Sequence, residues 1–252
     1  MHYFSLVTLF PEIVDAYCAI GIIRKARAAG LVDIATFNPR DFTNDERRTV
    51  DDLPYGGGPG MVMQVAPLRA AITAARERHP GSYVVYLSPQ GQRLEQGAVN
   101  QLLANEHLIL VAGRYEGIDE RVVERDIDAE WSIGDYVLSG GELPALVLLD
   151  AIVRQIPDVL GDPDSAQTDS FMGPLLDFPH YTRPDTVDGQ TVPFVLLSGN
   201  HAAIATWRLR AAVSRTLARR PDLLYAAELD DETISLVREL SEEISKKAEL
   251  KG

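Results

Sequence analysis

A single cysteine, Cys18, occurs in 252 residues, so no internal disulfide can staple this fold. It lies in the apolar-rich run FPEIVDAYCAIGII, where a buried thiol in a reducing compartment is expected rather than a catalytic nucleophile. No apolar run reaches the ~18 residues that span a bilayer. The opening residues MHYFSLVTLFP also lack the charged start and small-residue cleavage site of a secretory leader. A cytoplasmic protein with no membrane partner is the simplest expectation. Positive charge is scarce too. With 24 Lys and Arg against 37 Asp and Glu, the formal charge of −13 argues against non-specific nucleic-acid binding by the whole surface, though a local basic patch remains open.

What is present is an apolar content of 46%, enough for a sizeable core. Short apolar runs at residues 3–9, 32–37, 83–87, 108–111 and 131–137 alternate with helical patterns at 13–29, 67–78 and 97–104. This alternation predicts an α/β domain with a mainly parallel sheet. The most informative stretch is 131–154, WSIGDYVLSGGELPALVLLDAIVR. Its glycines fit neither G-x-G-x-x-G nor a Walker loop, and they lead into a helix that is apolar nearly all round, predicting burial. From Leu143 onward the only charges of that helix, Asp150 and Arg154, share one stripe. A structural i,i+4 pair is the plain reading, but a charged pair on an apolar helix is costly unless it faces a pocket.

The expected organisation is a domain over 1–160, a flexible polar linker over 161–176, and a smaller, mostly helical domain over 177–252. The second domain contains a helix from His201 to Arg220, closed by Pro221, and acidic surface helices from Glu228 onward. Three segments of the first domain, LSPQG, GRYEG and IGDYVLSGG, each place a glycine-bearing loop after an apolar run. Together they point to one pocket at the carboxyl ends of strands, in which Leu87, Tyr115, Ile133 and Leu138 enclose a ring. The run YGGGPGM reads equally as a surface loop or a substrate lid. The pair Arg47 and Arg48 is expected in an ion-pair network more than on a phosphate. An arginine stripe of Arg208, Arg215 and Arg219 suits a phosphate backbone, its alternative being a solvated face paired with the acidic tail. His180, Tyr181 and Arg183, with His201 and Trp207, suit RNA-loop recognition.

The motifs LSPQG, GRYEGIDER, SIGDYVLSGGELPA, DSF, PHYTRP, LLSGNH and YGGGPGM resemble those of the bacterial tRNA (guanine-N1)-methyltransferases acting at tRNA position 37. The resemblance runs to about residue 222 and is weakest in the tail. It implies a SPOUT-type α/β domain with a deep trefoil knot, a homodimer whose active site lies between subunits, and S-adenosyl-L-methionine as methyl donor. The product would be N1-methylguanosine beside the anticodon, which supports reading-frame maintenance.

The resemblance also assigns roles. Asp169 would be the general base and Arg154 would stabilise charge on guanine O6, while Glu116 would orient the cofactor or bind Mg2+, whose site is otherwise unknown. Tyr86, Leu87, Ser88 and Pro89 would bind the cofactor from the first loop, and Gly113, Tyr115 and Gly117 from the second. Ile133, Gly134, Tyr136, Val137 and Leu138 would do so from the third, with Gly140, Gly141 and Pro144 where it enters the helix. The tRNA, bearing guanosine at position 37, would meet Ser165, Ser170, His180 and Arg183, then Asn200, His201, Arg208, Arg215 and Arg219. Two other readings stay open: a SPOUT methyltransferase acting on another RNA nucleotide or a ribose hydroxyl, and a tRNA-binding module in which the knot is only structural.

Overall fold

A computed structural model describes residues 1–161, 169–225 and 227–249. The chain divides into two compact units, Met1–Pro163 and Asp164–Gly252. The first runs β1 (His2–Val7), α1 (Pro11–Cys18), α2 (Gly21–Ala28), β2 (Val32–Phe37), a 3-10 turn (Pro39–Phe42), β3 (Asp51–Asp52), β4 (Val62–Met63) and α3 (Val65–Arg78). It continues with β5 (Tyr83–Arg93), α4 (Gln96–Leu103), β6 (His107–Ala112), α5 (Glu120–Asp126), β7 (Ala129–Ser132) and α6 (Glu142–Val153). Five strands form one sheet in the order β2-β1-β6-β5-β7, every pair parallel. β3 and β4 make a separate antiparallel pair.

Side chains alternate across each strand and both faces are covered, which is why these strands read as continuous apolar runs. Leu108 and Leu110 join Phe4, Leu6, Val85 and Leu87 beneath α1, α2, α4 and α6. Ile109 and Val111 join Val7, Val84 and Tyr86 beneath α3 and α5. Helix α6 is buried as its composition predicts, with Leu148, Leu149, Ile152 and Val153 all at 0% exposure. Two of its residues break this pattern: Leu143 and Val147 are 57% and 48% exposed, one turn apart. Asp150 follows on the same stripe, its carboxylate accepting a 2.9 Å hydrogen bond from the Tyr17 hydroxyl. Cys18 is buried, and burial raises its thiol pKa.

Three expected elements differ. The helix expected over 13–29 is two, because Gly21 adopts φ +62° and breaks the backbone. The strand expected at 131–137 ends at Ser132, whose hydroxyl donates to the Gly134 carbonyl and turns the chain. The LSPQG segment is no simple loop: β5 continues to Arg93, with a register shift against β7 between Leu87 and Gln92 that lifts residues 88–91 out of the ladder.

The second unit holds a hairpin of β8 (Thr186–Val187) and β9 (Gln190–Thr191), then α7 (Phe194–Leu197), α8 (His201–Arg219), α9 (Pro221–Tyr225) and α10 (Asp231–Glu249). Its core includes Val213 and Thr216, both 0% exposed. The Thr216 hydroxyl accepts from the Leu176 amide at 2.9 Å, and the Ser170 hydroxyl accepts from the Asp177 amide at 2.9 Å, which ties residues 170–177 into this unit. Among the described residues no helix is long and apolar enough to cross a membrane.

At the amino ends of β1 and β6, Tyr3 stacks against His79 and His107 with ring centroids 4.1 and 4.9 Å away. Burial holds the His2 and His79 imidazoles below their ordinary pKa. The amino terminus adds to this at His2, His107 and Arg78 add to it at His79, and Glu106 and Asp33 oppose it. Because the unfolded chain binds these protons more readily, the contribution is intact above about pH 6.5 and is lost as pH falls below it. Thermal melts should therefore show Tm declining from pH 7 to pH 5.5, with a shallower decline in His79→Gln; equal slopes would contradict the assignment.

Candidate active site

Strands β6, β5 and β7 lie side by side, and their carboxyl ends open into a cavity of about 380 Å3. That size suits a small-molecule ligand. Every residue the sequence reading assigned to the cofactor lines this one space, and so does Glu116.

Close backbone approach builds its walls. The Gly141 amide donates to the Gly113 carbonyl at 2.8 Å, and a Cβ at Gly141 would lie 2.8 Å from the Ala112 Cα and 2.9 Å from the Gly113 nitrogen. A Cβ at Gly113 would lie 2.8 Å from the Tyr86 ring. Only glycine lets the start of α6 and the ring of Tyr86 pack this tightly on the end of β6. The loop after β6 is pinned on its other side, since the Glu116 amide donates to the Met61 carbonyl at 2.9 Å and the Met63 amide to the Gly117 carbonyl at 3.0 Å. The end of the YGGGPGM run therefore packs on this loop, with Gly60 directly against the Glu116 side chain, while Tyr55 to Gly58 stand free of it. Arg48, by contrast, pairs with Asp41 and donates to the Arg40 carbonyl, as expected for a surface ion-pair network.

The cavity is electrostatically one-sided. Glu116, Glu120 and Glu130 line it, and among the described residues the only lining cation is Arg114, already paired with Glu142 at 2.8 Å. Burial, then the charge of Glu130, pushes the Tyr86 phenol up to about 12, so it remains a neutral donor. Burial and the neighbouring Asp51 carboxylate likewise raise Tyr115, which holds φ +62°. Leu87, Ile133, Leu138 and Pro144 add apolar wall. Such a site accepts a flat ring bearing positive charge elsewhere on the ligand, and among the described residues it offers a pyrophosphate neither a lysine nor an unpaired arginine. Sequence reasoning missed Gln90, Arg114, Glu120, Glu130 and Trp131 on this wall; Gln90 stood inside LSPQG, Arg114 and Glu120 inside GRYEGIDER and Trp131 at the head of the 131–154 stretch, while Glu130 carried no distinguishing local pattern.

Arg154 is not among the lining residues. Arg154 follows the last turn of α6, whereas Gly141 precedes its first; at 1.5 Å per residue they stand about 20 Å apart. Asp169 is half-buried at the start of the described part of the second unit, its carbonyl accepting from the Met172 amide. Ser165 lies outside the described residues.

In the second unit several proposed RNA contacts have structural partners. His180 pairs with Asp177 at 2.7 Å, Arg215 donates to the Asp177 carbonyl at 3.2 Å, and Arg208 lies 4.7 Å over the Phe178 ring. The Asn200 side chain caps α8 by accepting from the Ala203 amide at 3.2 Å. His201, Arg183 and Arg219 are exposed. Arg210 is taken up by Glu239 and Glu243 of α10, at 2.8 and 2.7 Å, so the acidic tail neutralises part of this helix. Among the described residues no group of three or more His, Cys, Asp or Glu is placed to hold a metal ion.

Comparison with known proteins agrees in one direction. A family profile described as tRNA (Guanine-1)-methyltransferase TrmD matches residues 2–226. A tRNA (guanine-N(1)-)-methyltransferase of Methylococcus capsulatus is 58% identical over 95% of this chain and 96% of its own. Proteins of the same name from Aliivibrio fischeri and a Marinomonas species are each 55% identical over the same shares. With a glycine-walled, acid-lined cavity at the strand ends and matches spanning nearly its whole length, the chain belongs to the TrmD family of tRNA (guanine-1)-methyltransferases.

Proposed function

We propose that this protein transfers a methyl group from S-adenosyl-L-methionine to N1 of the guanosine at tRNA position 37, in the cytoplasm, as a homodimer. The observation that carries the reading is the cavity itself: apolar walls and glycine backbone for an adenine ring, and three carboxylates for a cationic ligand. The residues present fit the cofactor. It supplies, when bound, an electrophilic sulfonium methyl group. The loops around it are the segments that would thread the SPOUT knot, and the two units serve as cofactor-binding and tRNA-binding domains.

Guanine N1 keeps its proton at neutral pH, so a base must remove it as the methyl arrives, and charge then grows on O6. Asp169 takes that proton and Arg154 stabilises the O6 charge. Arg154 does not line the cavity of its own chain, since α6 holds it about 20 Å from the Gly141 wall. We assign both to the cavity of a second copy. The exposed Leu143 and Val147, on the same stripe of α6 as Asp150 and Arg154, form an apolar strip that such a partner would cover. Because N1 lies on the Watson–Crick edge, the base must be unpaired or flipped out, as an anticodon-loop residue can be. Glu116, inside the cavity, orients the cofactor; Mg2+ finds no ligand cluster among the described residues and enters no step.

Incubating the protein with methyl-labelled S-adenosylmethionine and unmodified tRNA, then mapping the modified atom, tests the reading directly. Label at guanine N1 of position 37 is expected; label on another nucleotide or on a ribose would replace it. Arg154→Ala and Asp169→Ala should each bind S-adenosylmethionine within about twofold of the parent while losing about a hundredfold or more in turnover, since both act in the transition state. Normal turnover in either would remove that role. Replacing Arg215 and Arg219 by Gln should weaken tRNA binding and lower the salt slope by about one for each phosphate left without its arginine. An unchanged slope would return these arginines to the structural partners of α8.

A further inference from the structure

Glu142, the first residue of α6, is 2% exposed, a rare state for a carboxylate. It does not line the cavity, yet it joins three segments behind the wall. Its Oε1 accepts from the hydroxyl of Thr8, itself 1% exposed at the end of β1, at 3.0 Å. Its Oε2 lies 2.8 Å from Nε of Arg114, in the loop after β6. Arg114 in turn donates from Nη1 to the Ser139 carbonyl at 3.1 Å, lies over the Phe10 ring at 4.3 Å, and pairs through its backbone with Gly140. Arg114, Gly140 and Gly141 all line the cavity.

A buried ion pair of this kind contributes little net stability over apolar packing, but removing one partner leaves an uncompensated charge and is strongly unfavourable. Its effect is to fix geometry. The charge contact of Nε with Glu142 and the hydrogen bond from Nη1 to the Ser139 carbonyl together hold two loops in one register, and the carboxylate at the amino end of α6 is also favoured by the helix dipole. Resting on the reading that this cavity holds S-adenosylmethionine, we propose that Glu142 is a positioning residue: through Arg114 it clamps the loop after β6 to the turn entering α6, and so preforms the cofactor wall it does not itself touch.

Glu142→Gln keeps size and the Thr8 hydrogen bond but removes the charge that balances Arg114. By calorimetry its Kd for S-adenosylmethionine should rise about tenfold, with KM for the cofactor rising in step, kcat at saturation changing less than about threefold, and tRNA affinity within about twofold. A role in folding alone would lower Tm without this selective loss. Should Glu142→Gln fail to fold, Thr8→Val removes the hydrogen bond to Glu142, together with the one the Thr8 hydroxyl accepts from the Phe10 amide, and leaves the Arg114 pair in place; a rise of about threefold is expected. If the unaltered protein binds the cofactor and the foldable variant binds it equally well, the positioning role is wrong. Absence of binding to the unaltered protein would instead remove the reading of the cavity, and this inference with it.

Discussion

The contact between Gly141 and Gly113 is the constraint on which the site depends. Where a Cβ would sit under 3 Å from the Ala112 and Gly113 backbone, two glycines allow α6 to begin directly on the end of β6. That junction sets the cavity wall, places Pro144 and Gly140 beside it, and aims α6 away along the sheet. The direction of α6 then decides where Arg154 ends. The apolar circumference of α6 makes the direction rigid, since Leu148, Leu149, Ile152 and Val153 are buried completely.

Charge is distributed to match. A chain of net −13 cannot attract tRNA with its whole surface, and its own acidic helix α10 captures Arg210. Arg219 at the exposed end of α8 and the exposed Arg183 are cations open to solvent on which the proposal of tRNA binding rests. Inside the cavity the sign suits the proposed cofactor: three carboxylates and a neutral Tyr86 meet a sulfonium, while Arg114 is taken up by Glu142.

Much of this was legible in the sequence. Periodicity predicted the parallel sheet, because strands covered on both faces show as short unbroken apolar runs, HLILVA being the clearest. The glycine-bearing segments predicted a shared pocket, because close approach leaves a compositional trace. What periodicity could not show was geometry set by distant partners. Nothing local distinguishes Glu142 from a helix-starting glutamate until Thr8 and Arg114 are seen around it, and the bulge that prolongs β5 beyond Leu87 depends on pairing with β7. The break at Gly21 needed a backbone angle, and the roles of Asp169 and Arg154 came from family resemblance, since an Asp in a turn and an Arg on a helix have plainer readings.

The central claim is that the cavity of one subunit works with Arg154 and Asp169 of another. Mixed dimers test it most directly: Gly134→Val, which crowds the Tyr136 ring on the cavity wall and leaves α6 untouched, is combined with Asp169→Ala, each inactive by itself, under conditions of subunit exchange. The account predicts that methyl transfer to tRNA returns in the mixture, carried by the one composite site in which both halves are intact. Mixed dimers that form and remain inactive would contradict it.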